Sequence, residues 1–221
     1  MTCSLIEIDS EDPLSSTIFT KAYDDLFIPA FPNPQEREAP QQILDKLCLR
    51  RHGYYGRNGY HVVVALLDNR PVGLGVIAYL AKSNCGVIEF LAVSPQCRGQ
   101  GIGSELQRHC DQVLQEDAQN RTGRSLDWLL IEAHDPEQVF PDQDSSDPRA
   151  RIRFWERQGF RRIHLAYVQP PLGEWHAPVR SFLLMAKILN PGWPRSVPKA
   201  ILATALVEYA YTPIKPMPTW G

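Results

Sequence analysis

Residues 94–106 read SPQCRGQGIGSEL, and three glycines alternate within them: Gly99, Gly101 and Gly103. An apolar run, CGVIEFLAV (85–93), leads in and reads as a strand. Behind the glycines, Ile102, Leu106, Cys110, Val113 and Leu114 recur at helical spacing and predict a buried helix face. Backbone this bare at a helix start lets N–H groups approach an anion, and Arg98 adds a full positive charge. A nucleotide-hydrolysing loop is excluded, because no GxxxxGK[ST] run exists. A dinucleotide fingerprint is also excluded: the spacing is GxGxG, and Leu106 stands where a third glycine would fall. A diphosphate seat remains, beside the plainer reading of a tight turn that binds nothing.

Outward from this loop, the chain has the bulk properties of a globular domain. It has 221 residues, 43% hydrophobic and 22% charged, with a formal charge of −2. That balance argues against a nucleic-acid surface. The five cysteines (Cys3, Cys48, Cys85, Cys97, Cys110) form no CxxC pair and no metal-ligand spacing, so neither zinc nor a disulfide frame is expected. Reduced thiols fit a cytoplasmic setting. The opening MTCSLIEIDSEDP has no basic segment leading into an apolar one, so no signal peptide is expected. No apolar run approaches the ~20 residues of a membrane span.

The hydrophobic pattern predicts strands over 3–8, 61–67, 72–80, 85–93, 127–133, 162–169 and 180–189. Helices are expected over 14–28, 35–49, from the glycine loop to about 118, and over 149–160 with a stop at Gly159. The last thirty residues differ. After the proline-broken NPGWPRS, Ser196 caps an expected helix over 197–211 that is apolar nearly all round. It must pack on its own domain or in a homodimer contact. The expected organisation is thus one domain over 1–189 and a C-terminal extension over 190–221.

The stretch LAVSPQCRGQGIGSEL resembles the acetyl-CoA-binding motif of the GNAT superfamily, the GCN5-related N-acetyltransferases. Their pattern is a strand, Val-x-Pro, then Arg/Gln-x-x-Gly-x-Gly/Ala, and Arg98, Gly101 and Gly103 fall on its named positions. FWERQGF (154–160) is similar to the family's helix end, and the element order β-α-α-β-β-β-α-β-α-β-β is similar to the family's order. The resemblance spans residues 3–189 and implies an α/β fold with a mixed, mostly antiparallel central sheet flanked by helices. It implies that backbone amides of Arg98, Gly99, Gln100, Gly101, Ile102, Gly103 and Ser104 hold the coenzyme A diphosphate. It implies that Leu91, Ala92 and Val93 pair with the pantetheine arm and supply an N–H to the oxyanion of acyl transfer. Trp155 stands where the family usually has tyrosine, so the resemblance implies packing near the thioester there, while the general acid is left unassigned.

An attacking amine must be neutral. For an alkyl amine, losing its proton at pH 7 costs about 4.6 kcal/mol, which a base must help supply. Glu89 is the first candidate. It alternates with Val87, Leu91 and Val93, and a lone carboxylate on an apolar strand is costly unless paired or used. The resemblance adds that polyamine acetyltransferases carry glutamate at the matching place. Glu132 and His134 at the next strand's end are second candidates, as relays through water. Tyr167 is a candidate acid, with water as the alternative. Asp135, Glu137, Asp142, Asp144 and Asp147 suggest a negative funnel for a cationic amine. Tyr23, Phe27 and Phe31 are candidates for lining its pocket. The expected activity is acetyl transfer from acetyl-CoA, without metal, to a small cationic amine. A protein N-terminus or lysine as acceptor, or a coenzyme-binding module without turnover, are the alternatives.

Overall fold

Two consecutive residues with positive φ, Asp68 (49°) and Asn69 (61°), close the hairpin around which the sheet is built. Both central positions of a type I′ turn need φ above zero, which Asp and Asn tolerate. The hairpin joins β2 (Gly59–Leu67) to β3 (Arg70–Leu80). The computed structural model describes residues 3–138, 147–172 and 176–210.

In chain order, β1 (Ser4–Glu7) is followed by α1 (Pro13–Ala22), which continues through a π turn, Tyr23–Phe27, into α2 (Ile28–Ala30). A 3-10 turn, Pro34–Glu36, precedes α3 (Pro40–Arg51). After the hairpin come β4 (Cys85–Val93), a 3-10 turn at Pro95–Cys97, α4 (Ile102–Thr122) and β5 (Trp128–His134). Then follow α5 (Pro148–Arg157), β6 (Arg161–Arg162), β7 (Phe182–Ile188) and α6 (Lys199–Ala210).

The strands form one seven-stranded sheet in the order β1-β2-β3-β4-β5-β7-β6. Only β4 and β5 run parallel; every other pairing is antiparallel. Along β2, Val62 and Val64 pack on one face and Val63 on the other, so both faces are covered. The first face carries Phe19 of α1, Ile43 and Leu47 of α3, and Leu202 and Ala205 of α6. The second carries Leu106, Cys110, Val113 and Leu114 of α4, with Trp155 of α5. All five expected helix-face residues of α4 are buried, Ile102 included.

Several boundaries depart from the sequence pattern. The expected helix over 35–49 starts at Pro40, because proline disfavours helix at the residue before it. The expected strand over 162–169 pairs only through Arg161–Arg162, with one further bridge from Gln169 to Val179. Leu165 N donates to Ile163 O in a tight turn, which takes the chain off the sheet. The tail helix begins at Lys199, so Ser196 does not cap it, and Tyr211 lies outside the described residues. Glu208 secures that helix to its own sheet: it accepts from Lys82 N at 3.1 Å, Ser83 N at 3.2 Å and Ser83 Oγ at 3.0 Å. Among the described residues, no helix is long and apolar enough to cross a membrane.

Candidate active site

Strands β4 and β5 start side by side and then separate. They pair only over Cys85–Ile88 and Trp128–Ile131. Beyond that, β4 follows β3 and β5 follows β7, so the edge of β4 from Glu89 to Val93 has no strand beside it. On its other edge, Val76 faces Phe90 and Ile77 faces Ile88, which leaves Glu89 as the extra residue of a β-bulge. The bulge corrects the simple alternation expected from the sequence. Val87, Phe90 and Ala92 pack on the α1–α3 face, whereas Leu91 joins the α4–α5 face and Val93 a small cluster with Ile102. Glu89 therefore does not share a face with Leu91 and Val93.

The glycine loop turns into α4 through two left-handed residues, Gly99 (φ 77°) and Gly101 (φ 85°). An L side chain at either position is strained, which is why glycine stands there. Ser104 N and Glu105 N both donate to Gly101 O at 3.0 Å. The N–H groups of Gly99, Gln100, Gly101, Ile102 and Gly103 meet no acceptor among the described residues. Gly99, Gly101 and Gly103 border a cleft of ≈ 580 Å³ whose walls also include Leu91, Ala92, Val93, Arg98 and Ser104. Arg151 and Arg157 of α5 add positive charge to it. Gln100 turns its side chain to Gln96 O (3.1 Å), and the Ile102 side chain packs inward with Ala65 and Val72. Neither side chain lines the cleft. Ser104 Oγ accepts from Gln158 Nε2 at 2.9 Å, tying the start of α4 to the end of α5.

A smaller cavity of ≈ 110 Å³ lies where the strands part. Glu89, Glu132, His134 and Trp155 line it, and it shares Phe31, Leu91, Arg151 and Phe154 with the larger cleft. Burial pushes the Glu89 carboxyl up to about 7; Lys46 opposes the rise, while Glu38 and Glu132 add to it. Its Oε2 is buried without a hydrogen-bond partner.

Glu132 is fully engaged. Tyr167 Oη donates to Oε1 and Gln169 Nε2 to Oε2. Burial raises its pKa, and those two hydrogen bonds oppose the rise. Burial and the charge of Glu132 push the Tyr167 hydroxyl far up, and Tyr167 lines neither cavity. His134 stacks on Phe182 at 4.5 Å. An arginine can only donate, so Arg151 Nη1, 3.2 Å from His134 Nδ1, leaves Nε2–H to donate to Glu36 Oε2 at 2.8 Å.

Two expectations about substrate-facing residues are corrected. Asp135 is buried: Arg162 donates to it at 2.9 Å, and it also accepts from Glu137 N. Asp147 caps α5 through Arg149 N and pairs with Arg153. Asp135 is thus structural, Asp147 caps α5 while lining the larger cleft, Glu137 is exposed, and Asp142 and Asp144 lie outside the described residues. Phe27 and Tyr23 are core residues, and only Phe31 of that aromatic trio lines the cavities. Phe154, Arg151 and Lys46 were not singled out by the sequence. Phe154 precedes the conspicuous Trp155, and nothing about Lys46 on α3 signals proximity to β4. Among the described residues, no group of His, Cys, Asp and Glu is arranged to hold a metal ion.

The sequence profile of the acetyltransferase (GNAT) family matches residues 20–160. No curated protein matches the chain. Among solved structures, a GNAT-family protein from Bacteroides thetaiotaomicron is similar at 18% identity and a TM-score of 0.57, covering 95% of each chain. The PaiA N-acetyltransferase from Thermoplasma acidophilum, in complex with coenzyme A, is similar at 12% identity and 0.55, covering 86% of this chain and 100% of its own. The ribosomal-protein-S18-alanine N-acetyltransferase from Escherichia coli is similar at 12% and 0.52, covering 89% and 99%. At these identities the likeness concerns the fold.

Proposed function

This chain belongs to the GNAT acetyltransferase family, and from that premise we propose that it moves acetyl from acetyl-CoA to a small cationic primary amine by direct attack in a ternary complex. One observation carries the reading. The cleft bordered by unbonded loop amides and the cavity holding Glu89 share walls at the split between β4 and β5.

The residues present fit coenzyme A. Five N–H groups without acceptors at the start of α4, with Arg98, Arg151 and Arg157 nearby, suit a diphosphate. The unpartnered edge Leu91–Ala92–Val93 suits the two amides of a pantetheine arm, as an added strand would. When bound, the coenzyme supplies the acetyl thioester that the amine attacks. A coenzyme A complex of the Thermoplasma acidophilum structure, alike in fold, supports the choice. Phe154 and Trp155 shield the split from the α5 side.

Glu89 acts as the base in this reading. A carboxylate with its pKa near neutrality can take a proton from an ammonium group as the amine attacks. Free backbone on the β4 edge offers an N–H to the developing oxyanion. A thiol's pKa near ~8.5 makes the leaving sulfur tolerant of departing as thiolate. No side chain therefore has to protonate it. Tyr167 is committed to Glu132, and we assign the pair to holding one wall of the acceptor side. We further propose that residues 1–189 form the catalytic unit, which 190–221 extend.

The test is release of coenzyme A thiol from acetyl-CoA, with small primary amines in one arm and peptides bearing a free N-terminus or lysine in the other. Release driven by small amines is the expected result. Tight coenzyme binding with no release on any amine would replace the enzyme with a binding module.

A further inference from the structure

Buried polar atoms without partners are rare in folded proteins, and here they gather in one place. Of the seven side-chain atoms in that condition among the described residues, five belong to Glu38, Tyr55, Tyr60, Glu89 and Gln169. They are Glu38 Oε2, the two tyrosine hydroxyls, Glu89 Oε2 and Gln169 Oε1. Glu38, Tyr60 and Gln169 are 5%, 2% and 5% exposed. Lys46 binds the other oxygen of Glu38 and sits 5.1 Å above the Tyr60 ring. Tyr55 and Tyr60 stack at 6.4 Å. Gln169 gives its N–H to Glu132. Tyr209 of α6 packs on the same side of the sheet as Tyr60, and Glu208 holds that helix in place. Glu38 precedes α3, Tyr55 follows it, Tyr60 is on β2, Glu89 on β4 and Gln169 before β7, yet Glu38, Tyr55 and Tyr60 all lie within electrostatic reach of Glu89. Polar atoms gathered this way offer hydrogen-bond partners to a polar guest.

We propose that Glu38, Tyr55, Tyr60 and Gln169, roofed by Tyr209, hold the second ammonium of a small diamine whose first amine is acetylated beside Glu89. The charges point the same way. Among the described residues, the cation that Glu38, Glu89 and Glu132 face is Lys46, so the nest has carboxylate left over for a positive group. Two of the orphaned atoms beyond Glu89, Glu38 Oε2 and Gln169 Oε1, can only accept hydrogen bonds when the carboxyl is charged, and an ammonium offers three donors. The α6 roof favours a short molecule over a polypeptide chain. This inference rests on the amine-acetylating reading above.

Binding calorimetry on protein saturated with coenzyme A tests it without requiring turnover. Diaminopropane, diaminobutane and diaminopentane are compared with propylamine, butylamine and pentylamine. At least one diamine should bind roughly tenfold tighter than its monoamine, as one charge-assisted hydrogen bond allows. Tyr60→Phe and, independently, Tyr55→Phe should reduce that ratio toward one, while the exposed Tyr54→Phe leaves it alone. Tyr60→Phe should also keep or raise the melting temperature, since the hydroxyl it removes has no partner. Equal affinities for all three pairs would overturn the inference, as would a Tyr60→Phe protein that is less stable with its ratio intact. If diamines bind preferentially but no thiol is released with them, the nest stands and the transfer reading fails. If monoamines and diamines are acetylated and bound alike, the transfer reading stands and the nest fails.

Discussion

A carboxyl group that changes charge near neutral pH is useful where a proton must be taken at that pH. Glu89 is such a group, raised to about 7 by burial against the partial relief that Lys46 gives. The sign has two consequences. Below pH 7 Glu89 holds its proton and cannot act as base, so kcat/KM should climb as pH rises through about 7. Glu89→Gln should abolish that limb and lower kcat by about 10²–10⁴, the usual worth of a positioned base. Because the folded pKa lies above the ordinary carboxylate value, the charged form opposes folding above pH 7. The same variant should therefore melt no lower than wild type at pH 8. An unchanged pH profile would remove Glu89 from the chemistry. An unusual setting for it was readable from one acidic residue in an apolar strand, but its direction was not. The bulge that turns Leu91 and Val93 away from it depends on pairing with β3, which no local pattern encodes.

At the scale of elements, the glycine loop and the start of α4 work as one piece. Gly101 has φ 85°, and a β-branched side chain there costs about 1–2 kcal/mol before any ligand is considered. Gly101→Val should weaken coenzyme A binding at least tenfold by calorimetry, with a smaller change in melting temperature. Gly103 is the contrast. A Cβ there would lie 3.5 Å from Val93 and 3.6 Å from Phe154, ordinary contacts, so Gly103→Ala should bind nearly as well as wild type. The reverse order would contradict the assigned loop. This loop was legible because its signal is local: glycine positions, a charge and a helix start. The 162–169 segment was misread for the opposite reason. Its alternation resembles a strand, but the sheet takes only Arg161–Arg162, and Tyr167 and Gln169 are spent on Glu132 instead.

For the whole molecule, the most telling tie is His61. Its Nδ1 lies 2.6 Å from Glu7 on β1, and its Nε2 lies 2.8 Å from Asp117 on α4. Two carboxylate partners require both nitrogens to donate, so the ring is an imidazolium. Burial alone would lower its pKa, but the hydrogen bonds and charges of Asp117 and Glu7 outweigh that and raise it. Both carboxylates are correspondingly lowered against their own burial. The stabilisation from His61 is thus complete below its unfolded pKa of about 6.5 and fades as pH rises through the higher folded value. That from Glu7 and Asp117 fades as pH falls through their lowered values. Thermal stability should therefore be greater at pH 6 than at pH 8, by about 2–4 °C for each 1 kcal/mol involved. Asp117→Asn should shrink the difference to the smaller slope that Glu89 adds over the same range; a difference left at full size would assign the effect elsewhere. None of this was visible in the chain, since Glu7, His61 and Asp117 meet only after β1, β2 and α4 have assembled.

The seam between β4 and β5 has a mechanical meaning. Among the described residues, the ladder that joins a four-stranded block to a three-stranded one is four residue pairs long. On the proposed reading, a pantetheine arm in the fork beyond Ile88 would add the rung that the two strands lack there.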